Sequence, residues 1–157
     1  MSEPAKNQML VLFLLDEQYY ALHLPAVERV VRAVEVTPLP KAPAIVSGVI
    51  NVQGQIIPVV DVRKLFRLPA REIKMADQLV IAHTSRRLVA LVVNSVVGIR
   101  ELPDQEILNA KQALPFAAYI RGVAKMADDL VLIYDLDQFL SLDEEQALDA
   151  PLPGGAG

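Results

Sequence analysis

Two stretches of the sequence repeat one pattern. The first, at residues 48–62, reads GVINVQGQIIPVVDV, and the second, at residues 122–136, reads GVAKMADDLVLIYDL. Each begins with glycine, continues through apolar residues, a polar turn and a second apolar run, and reaches aspartate 13 positions after the glycine. This succession is typical of a β-hairpin. The duplication predicts two related β units, with a binding surface where the units meet.

The repeat extends beyond these two hairpins. Residues 20–22 match residues 89–91, and Val27 matches Val96, at a spacing of 69, whereas the hairpins lie 74 positions apart. The second copy therefore carries five extra residues, which we place in the loop 101–116. About five short strands and one short helix in each copy predict a small barrel. We expect a mainly β fold of two packed β-barrel subdomains.

The predicted domain organisation follows from the repeat and from the termini. Residues 9–141 form one domain, with subdomains at roughly 20–70 and 79–141 between which strands can be exchanged. The polar residues 1–8 and the residues 142–157, which end in a Pro/Gly-rich run, are expected to be flexible.

Several local features are predicted from residue types. The stretches 10–15 and 19–24 read as a hairpin, 27–36 and 88–99 as strands, and 101–116 as irregular. The charged segment 68–77 reads as a mobile loop.

Four residues in the two repeated stretches carry further predictions. Pro58 implies a sheet edge or a bulge, because proline lacks the N–H that a central strand uses. Gly54 can take positive φ in its turn. Asp61 and Asp135 each follow a strand and are expected to cap a short helix by accepting backbone hydrogen bonds.

Composition limits the possible functions. The chain is 53% apolar, has no cysteine and carries a net charge of −4, which argues against nucleic-acid binding. It shows no signal segment, and its apolar runs are too short to span a bilayer. We therefore expect a cytoplasmic protein that does not insert into the membrane.

The candidates for chemistry are few. Asp61 and Asp135 could form a carboxylate pair at the seam of the duplication and act in hydrolysis, although helix capping explains both. His23 and His83 are too few for a zinc site in a chain without cysteine. Phosphate-loop and nucleophile-elbow patterns are absent. The sequence predicts a protein that is not an enzyme and holds no cofactor or metal.

An apolar series offers a different kind of site. Val27, Val30, Val31 and Val34 alternate with charged residues, and the second copy repeats the series at 96–99. These side chains either belong to the core or form an apolar contact patch rimmed by charge, as protein interfaces do.

The repeated stretch also carries a resemblance. Residues 48–63, together with 20–32, the proline-rich segment 37–43 and the closing segments 119–122 and 130–140, resemble the CheW family of chemotaxis coupling proteins. The resemblance covers about residues 9–141, nearly the whole predicted domain.

Membership of this family implies two intertwined five-stranded SH3-like β-barrels and no catalysis. It implies a scaffold that couples the cytoplasmic tips of methyl-accepting chemoreceptors, docked in the groove between the barrels, to the regulatory domain of a CheA-type histidine kinase, docked at the barrel ends. In receptor arrays such a scaffold lies at the inner face of the membrane. Carried over by position, the contact residues are Val27, Glu28, Val30, Gly48, Gln53, Arg63, Ala90, Val96 and Ile99.

Two positions depart from the family pattern. Gln53 stands in a turn where relatives often have arginine, and Arg29 stands where many relatives carry an acidic residue. A neutral amide cannot make a charge-assisted pair. The chain could therefore serve a non-flagellar chemosensory pathway, as an adaptor with a different partner.

Overall fold

The structure is a computed structural model that describes residues 7–32, 35–109 and 120–139. It is mainly β, as predicted. The strands are β1 (Asn7–Leu15), β2 (Gln18–His23), β3 (Val27–Arg32), β4 (Val46–Val52), β5 (Gln55–Val60), β6 (Gln78–His83), β7 (Leu88–Val93), β8 (Ser95–Pro103), β9 (Ile107–Asn109), β10 (Ile120–Met126) and β11 (Asp129–Tyr134). Two four-residue helices, α1 (Val62–Leu65) and α2 (Leu136–Phe139), follow β5 and β11.

The strands form two sheets that each draw on both halves of the chain. One sheet has the order β8-β1-β2-β11-β10-β9, and the other has the order β3-β6-β7-β5-β4. The hairpin β1–β2 from the first half therefore lies with strands of the second half, and β6–β7 lies with strands of the first. Each borrowed hairpin joins its sheet through a parallel pair, β2 with β11 and β7 with β5. Neither sheet can be assembled from one half of the chain alone.

Both sheets curl towards closure. In the five-stranded sheet, Thr37 follows edge strand β3 and exchanges two backbone hydrogen bonds of 2.9 and 3.0 Å with Val49 of the opposite edge strand β4. In the six-stranded sheet, the edge strands β8 and β9 are joined by one short 3-10 turn, Asp104–Glu106. Since β8–β9 acts as one bent strand, each barrel has five strands, in agreement with the sequence prediction.

Apolar side chains form three clusters. One cluster fills the barrel of the six-stranded sheet around Leu10, Leu12 and Ile133, and a second fills the barrel of the five-stranded sheet around Ile57 and Ile81. The largest cluster takes residues from both sheets and lies between them. Its aromatic part contains Phe13, Tyr20, Phe66 and Tyr134, whose ring centroids lie 4.6–5.9 Å apart in stacked and edge-on pairs. This shared core, which we call the seam core, joins the barrels into one unit.

Several sequence predictions need correction. The predicted strand 88–99 is broken at Asn94, because β7 and β8 belong to different sheets. The stretch 101–116 is not wholly irregular, since β8 continues to Pro103 and β9 follows, while residues 110–119 lie outside the described part. Of the two features that Pro58 implies, a bulge is present beside it in partner strand β4, whose register shifts between Val46 and Gly48, but Pro58 is not on an edge strand. Strand β5 is internal, and Pro58 only precedes the two residues that pair with β7.

Of the other local predictions, one is confirmed and two are partly wrong. Gly54 has φ 85°, as predicted for its turn. The segment 68–77 is irregular, but Asp77 within it is buried and holds Arg71 at 3.0 Å. Asn7 and Gln8, predicted to be flexible, begin β1. The expected flexibility of residues 142–157 lies outside the described part of the chain.

Candidate interaction surface

Half-buried valines on edge strands β3 and β8 pack against the same core at the seam. Val27 and Val30 from β3, and Val96 from β8, are half-buried and pack against the seam core. The N–H of Val96 donates to Oε1 of Gln78 at 2.6 Å, and Gln78 lies opposite Arg32 of β3. Edge strand β8 of one barrel is thereby hydrogen-bonded to strand β6 of the other barrel, next to β3. We call the surface that carries these three half-buried valines the seam groove.

The rim of the seam groove carries apolar and polar groups. Ile99 on β8 is 56% exposed, which is unusual for a large aliphatic side chain in a sheet. Glu28 on β3 is exposed. Beside it, Nη1 of Arg29 donates to Oε1 of Gln53 at 3.3 Å, so the two positions that depart from the family pattern contact each other.

Three of the predicted contact residues lie inside the molecule. Ala90 is 0% exposed and belongs to the core of the five-stranded barrel. Gly48 is buried, and a Cβ at this position would lie 2.3 Å from the carbonyl oxygen of Thr37. Arg63 is buried too. A partner cannot reach these groups directly, so their role is structural.

Arg63 is held by an internal ion pair. Its Nη1 and Nη2 atoms donate to Oδ1 and Oδ2 of Asp16 at 2.9 and 2.6 Å, and its Nε donates to the carbonyl of Pro69 at 2.7 Å. These hydrogen bonds lower the pKa of the Asp16 carboxyl and raise that of Arg63, while burial opposes both shifts. Asp16 lies in the β1–β2 turn and Arg63 in α1, so the pair clamps one barrel to the other.

The sequence analysis did not identify Asp16 as a functional residue, nor Asn94, which contacts Asp16 in addition to Arg63. The N–H of Asp16 donates to Oδ1 of Asn94 at 2.8 Å, and the N–H of Asn94 donates to the carbonyl of Leu14 at 2.9 Å. Asp16 and Glu17 have φ 49° and 71°, as a tight hairpin turn requires. At the repeat spacing of 69, Asp16 corresponds to Ser85, which lies in the β6–β7 turn. The repeat does not reveal which residue each of these turns contacts.

The two histidines line one cleft of about 660 Å³ at the end of the seam, which we call the open cleft. Nε2 of His23 lies 2.6 Å from Oε1 of Gln8, whereas His83 is exposed. Burial lowers the pKa of His23, the charge of Arg121 lowers it further, and Asp135 opposes both effects. Among the described residues, no three His, Asp or Glu side chains are arranged to bind a metal ion.

The two repeated aspartates act as helix caps. Oδ1 of Asp61 accepts from the N–H of Lys64 at 3.2 Å, and Oδ1 of Asp135 accepts from the N–H of Asp137 at 3.1 Å. They line different cavities. This geometry matches the predicted caps and brings no carboxylate pair together.

Comparisons with known proteins agree with this fold. The family model described as the CheW-like domain matches residues 9–144. The chemotaxis protein CheW of Thermotoga maritima is 28% identical over 140 residues, which cover 89% of this chain and 92% of that protein. CheW of Rhizobium meliloti is 28% identical over 144 residues, covering 88% and 90%.

A solved structure gives the same result. The scaffolding protein TtCheW from Thermoanaerobacter tengcongensis superposes with a TM-score of 0.78 at 26% identity, covering 88% of this chain and 96% of that one. The fold is the two-barrel fold of that scaffolding protein. The chain belongs to the CheW family, and its role is that of a non-enzymatic chemotaxis scaffold. In the part that the structure describes, no helix is long and apolar enough to cross a membrane.

Proposed function

We propose that this chain couples chemoreceptors to a CheA-type histidine kinase at the inner face of the membrane. The receptor tip would dock in the seam groove. The observation that supports this site is that Val27, Val30 and Val96 lie half-buried against one core, while Ile99, three residues after Val96 on β8, is exposed. An apolar floor with a charged rim suits an amphipathic helix.

The kinase regulatory domain would dock at the barrel ends. Ile56 and Leu130 are 61% and 53% exposed, and each is the second residue of a strand that follows a hairpin turn. They lie 74 positions apart, at matching places in the repeat. Two equivalent apolar contacts, one on each barrel, suit a partner that is itself built of two such barrels.

The two contacts can be tested separately. Ile99→Asp should weaken binding of a receptor-tip fragment at least about tenfold, because a charge would enter an apolar contact, and should leave kinase binding unchanged. Ile56→Asp and Leu130→Asp should each weaken binding of the kinase regulatory domain and leave binding of the receptor-tip fragment unchanged. Met75, 94% exposed in the loop after α1, offers a matched control, since Met75→Asp should affect neither partner. If Ile99→Asp bound the receptor fragment like the unsubstituted chain, the proposed receptor site would be wrong.

The Arg29–Gln53 contact favours a second candidate, the same adaptor role in a non-flagellar pathway with its own partners. The pair Arg29→Glu with Gln53→Arg would restore the family's charges and keep a contact between the two positions. This double variant should bind a flagellar-pathway receptor or kinase more tightly than the unsubstituted chain does. Equal binding to such partners would count against a specialised partner.

A further inference from the structure

The two sheets share one order of strands. At the repeat spacings of 69 and 74, the strands β3, β6, β7, β5 and β4 correspond to β8, β1, β2, β11 and β10. These two series are also the orders of the strands in the two sheets, counted from β3 and from β8. Edge strands β3 and β8 are therefore the same element in two copies of one unit, and they can be compared residue by residue.

Each of these edge strands contains a β-bulge at the same place. In the pairing of β3 with β6, the register shifts at Glu28, which lies opposite no residue of β6. In the pairing of β8 with β1, the register shifts in the same way at Val97. Glu28 and Val97 lie 69 positions apart, which is the repeat spacing. Since such a bulge inserts one residue, it reverses the faces of the residues that follow it.

The bulges place apolar residues that are three positions apart on one face. In a regular strand, Val27 and Val30 would point to opposite faces, because side chains alternate. With the bulge between them, both pack against the seam core. Val96 and Ile99 are the equivalent pair on β8, and the bulge residue Val97 lies between them. The seam groove therefore carries two equivalent apolar pairs, one on each edge strand.

The bulge residues themselves are not alike in the two copies. On β3 the bulge residue is Glu28, an exposed carboxylate, and on β8 it is Val97, whose side chain is 42% exposed. The next residue on β3 is Arg29, and its equivalent on β8 is Gly98. Among the residues that the structure describes, Glu28 makes no ion pair, so its charge is available to a partner. The groove is therefore polar at one bulge and apolar at the other.

We propose that Glu28 and Val97 determine the orientation in which a receptor tip docks, an inference that rests on the proposed receptor site in the seam groove. Two equivalent apolar pairs accept an amphipathic helix in either of two opposite orientations. The bulge residues remove this ambiguity, because Glu28 attracts a basic side chain on one flank of the helix and Val97 contacts an apolar side chain on the other. The preferred partner is thus a helix with one basic and one apolar flank, and a helix with an acidic flank in place of the basic one is disfavoured.

Cysteine cross-linking measures the orientation, because the chain has no cysteine of its own. Ala26→Cys and Ser95→Cys place a thiol at equivalent, partly exposed positions, each two residues before a bulge residue, and change no charge. A receptor-tip fragment with a single cysteine on its basic flank should form a disulfide with Ala26→Cys at least about fivefold faster than with Ser95→Cys. Equal rates for the two positions would overturn the proposal.

Exchange of the two bulge residues gives the decisive comparison. The double variant Glu28→Val/Val97→Glu should reverse the preference, so that the disulfide with Ser95→Cys forms faster. Each single variant should reduce the preference to less than about twofold, because the two bulges are then alike. A double variant with the preference of the unsubstituted chain would show that the bulge residues do not set the orientation.

Two controls separate this proposal from the proposed receptor site. Gln55→Asp/Asp129→Gln exchanges a carboxylate between equivalent exposed positions of β5 and β11, and it should leave the preference unchanged. Ile99→Asp should slow both disulfides, because it weakens docking itself. If the fragment bound none of the chains, the receptor site would be wrong, and this inference with it. Binding that is lost with Ile99→Asp but is indifferent to the exchange of Glu28 and Val97 would overturn the orientation role alone.

Discussion

At the scale of single residues, Arg63 joins one barrel to the other through an ion pair. It contributes three hydrogen bonds to groups on two other segments, two of them to the carboxylate of Asp16. The family resemblance predicted Arg63 as a contact residue. Its partners inside the molecule are Asp16 and Pro69, which lie 47 and 6 positions away in the chain. No sequence motif indicates either contact.

Arg63→Ala should destabilise the protein by about 2 kcal/mol. A fully buried ion pair that loses one partner typically costs about 3–5 kcal/mol, and the cost is smaller here because water reaches the Asp16 carboxylate. Arg100→Ala, which removes an exposed arginine from β8, is the control and should change stability by less than about 0.5 kcal/mol. Urea denaturation measures both values. Equal stability of the two variants would show that the clamp contributes nothing.

The same ion pair makes stability depend on pH. The pKa of Asp16 is lowered in the folded state from its ordinary value of 3.8, so the folded state binds this proton less readily than the unfolded state does. The stabilisation is therefore complete above that value and is lost as pH falls through the lower, folded-state pKa. Asp16→Asn keeps a residue that tolerates the positive φ of this turn but removes the charge.

The stability difference between the unsubstituted chain and Asp16→Asn should thus be present at about pH 7 and shrink at about pH 3 and below. Denaturation at a series of pH values measures it. A difference that stayed constant with pH would mean that the carboxylate charge is not what Asp16 contributes.

At the scale of secondary-structure elements, β4 closes the five-stranded barrel through its bulge. The register of β4 against β5 shifts between Val46 and Gly48, and Gly48 has φ 155°. This backbone brings Val49 into its bridge with Thr37. A glycine is required because the Thr37 carbonyl occupies the space where a Cβ would lie.

Gly48→Ala should therefore destabilise the protein by about 3 kcal/mol, through both strain and a clash with the backbone. Gly54→Ala is the matched control. Gly54 also has positive φ, at 85°, but a Cβ there would meet nothing within 4 Å, so only the backbone strain of about 1 kcal/mol remains. Thermal unfolding of the two variants measures the difference. A Gly54→Ala variant as unstable as Gly48→Ala would contradict the assigned role of the close approach.

The elements also show what a sequence can reveal. The hairpins, their turns and the capping roles of Asp61 and Asp135 could be predicted because each depends on residues close together in the chain. The break at Asn94 could not, because only the two polar residues Asn94 and Ser95 interrupt a long apolar run, and the switch from one sheet to the other is what separates β7 from β8. The burial of Ala90 likewise depends on strands from both halves of the chain.

At the scale of the whole molecule, exchange of the hairpins makes each barrel depend on both halves of the sequence. Strands β1 and β2 complete the barrel of the second half, and β6 and β7 complete that of the first. Fragments 1–77 and 78–157 should each be unfolded alone, because each lacks strands in both barrels. Mixed together, they should form a folded complex.

Circular dichroism and analytical ultracentrifugation measure this complementation. Substituting Leu91→Asp in the second fragment should prevent it, since Leu91 is buried in the seam core. Lys125→Asp, at an exposed position of the same fragment, should not. A cooperatively folded fragment 1–77 would contradict the interdependence of the barrels.

The proposed function requires two contacts on one molecule, the seam groove for a receptor tip and the barrel ends for a kinase regulatory domain. The family and the fold define a chemotaxis scaffold. The bridging role depends on whether both partners can be bound at the same time. The residues proposed for the receptor lie on β3 and β8, whereas Ile56 and Leu130 lie on β5 and β11, so the two kinds of contact use different residues.

The most direct measurement is a bridging assay with receptor-tip fragments immobilised on beads and the kinase regulatory domain in solution. The kinase domain should be retained only when this chain is present, and Ile99→Asp or the double variant Ile56→Asp/Leu130→Asp should each abolish retention, whereas Met75→Asp should not. If the chain bound each partner singly but never retained the kinase domain on the beads, or bound neither, the account of this protein as a receptor–kinase coupler would be contradicted.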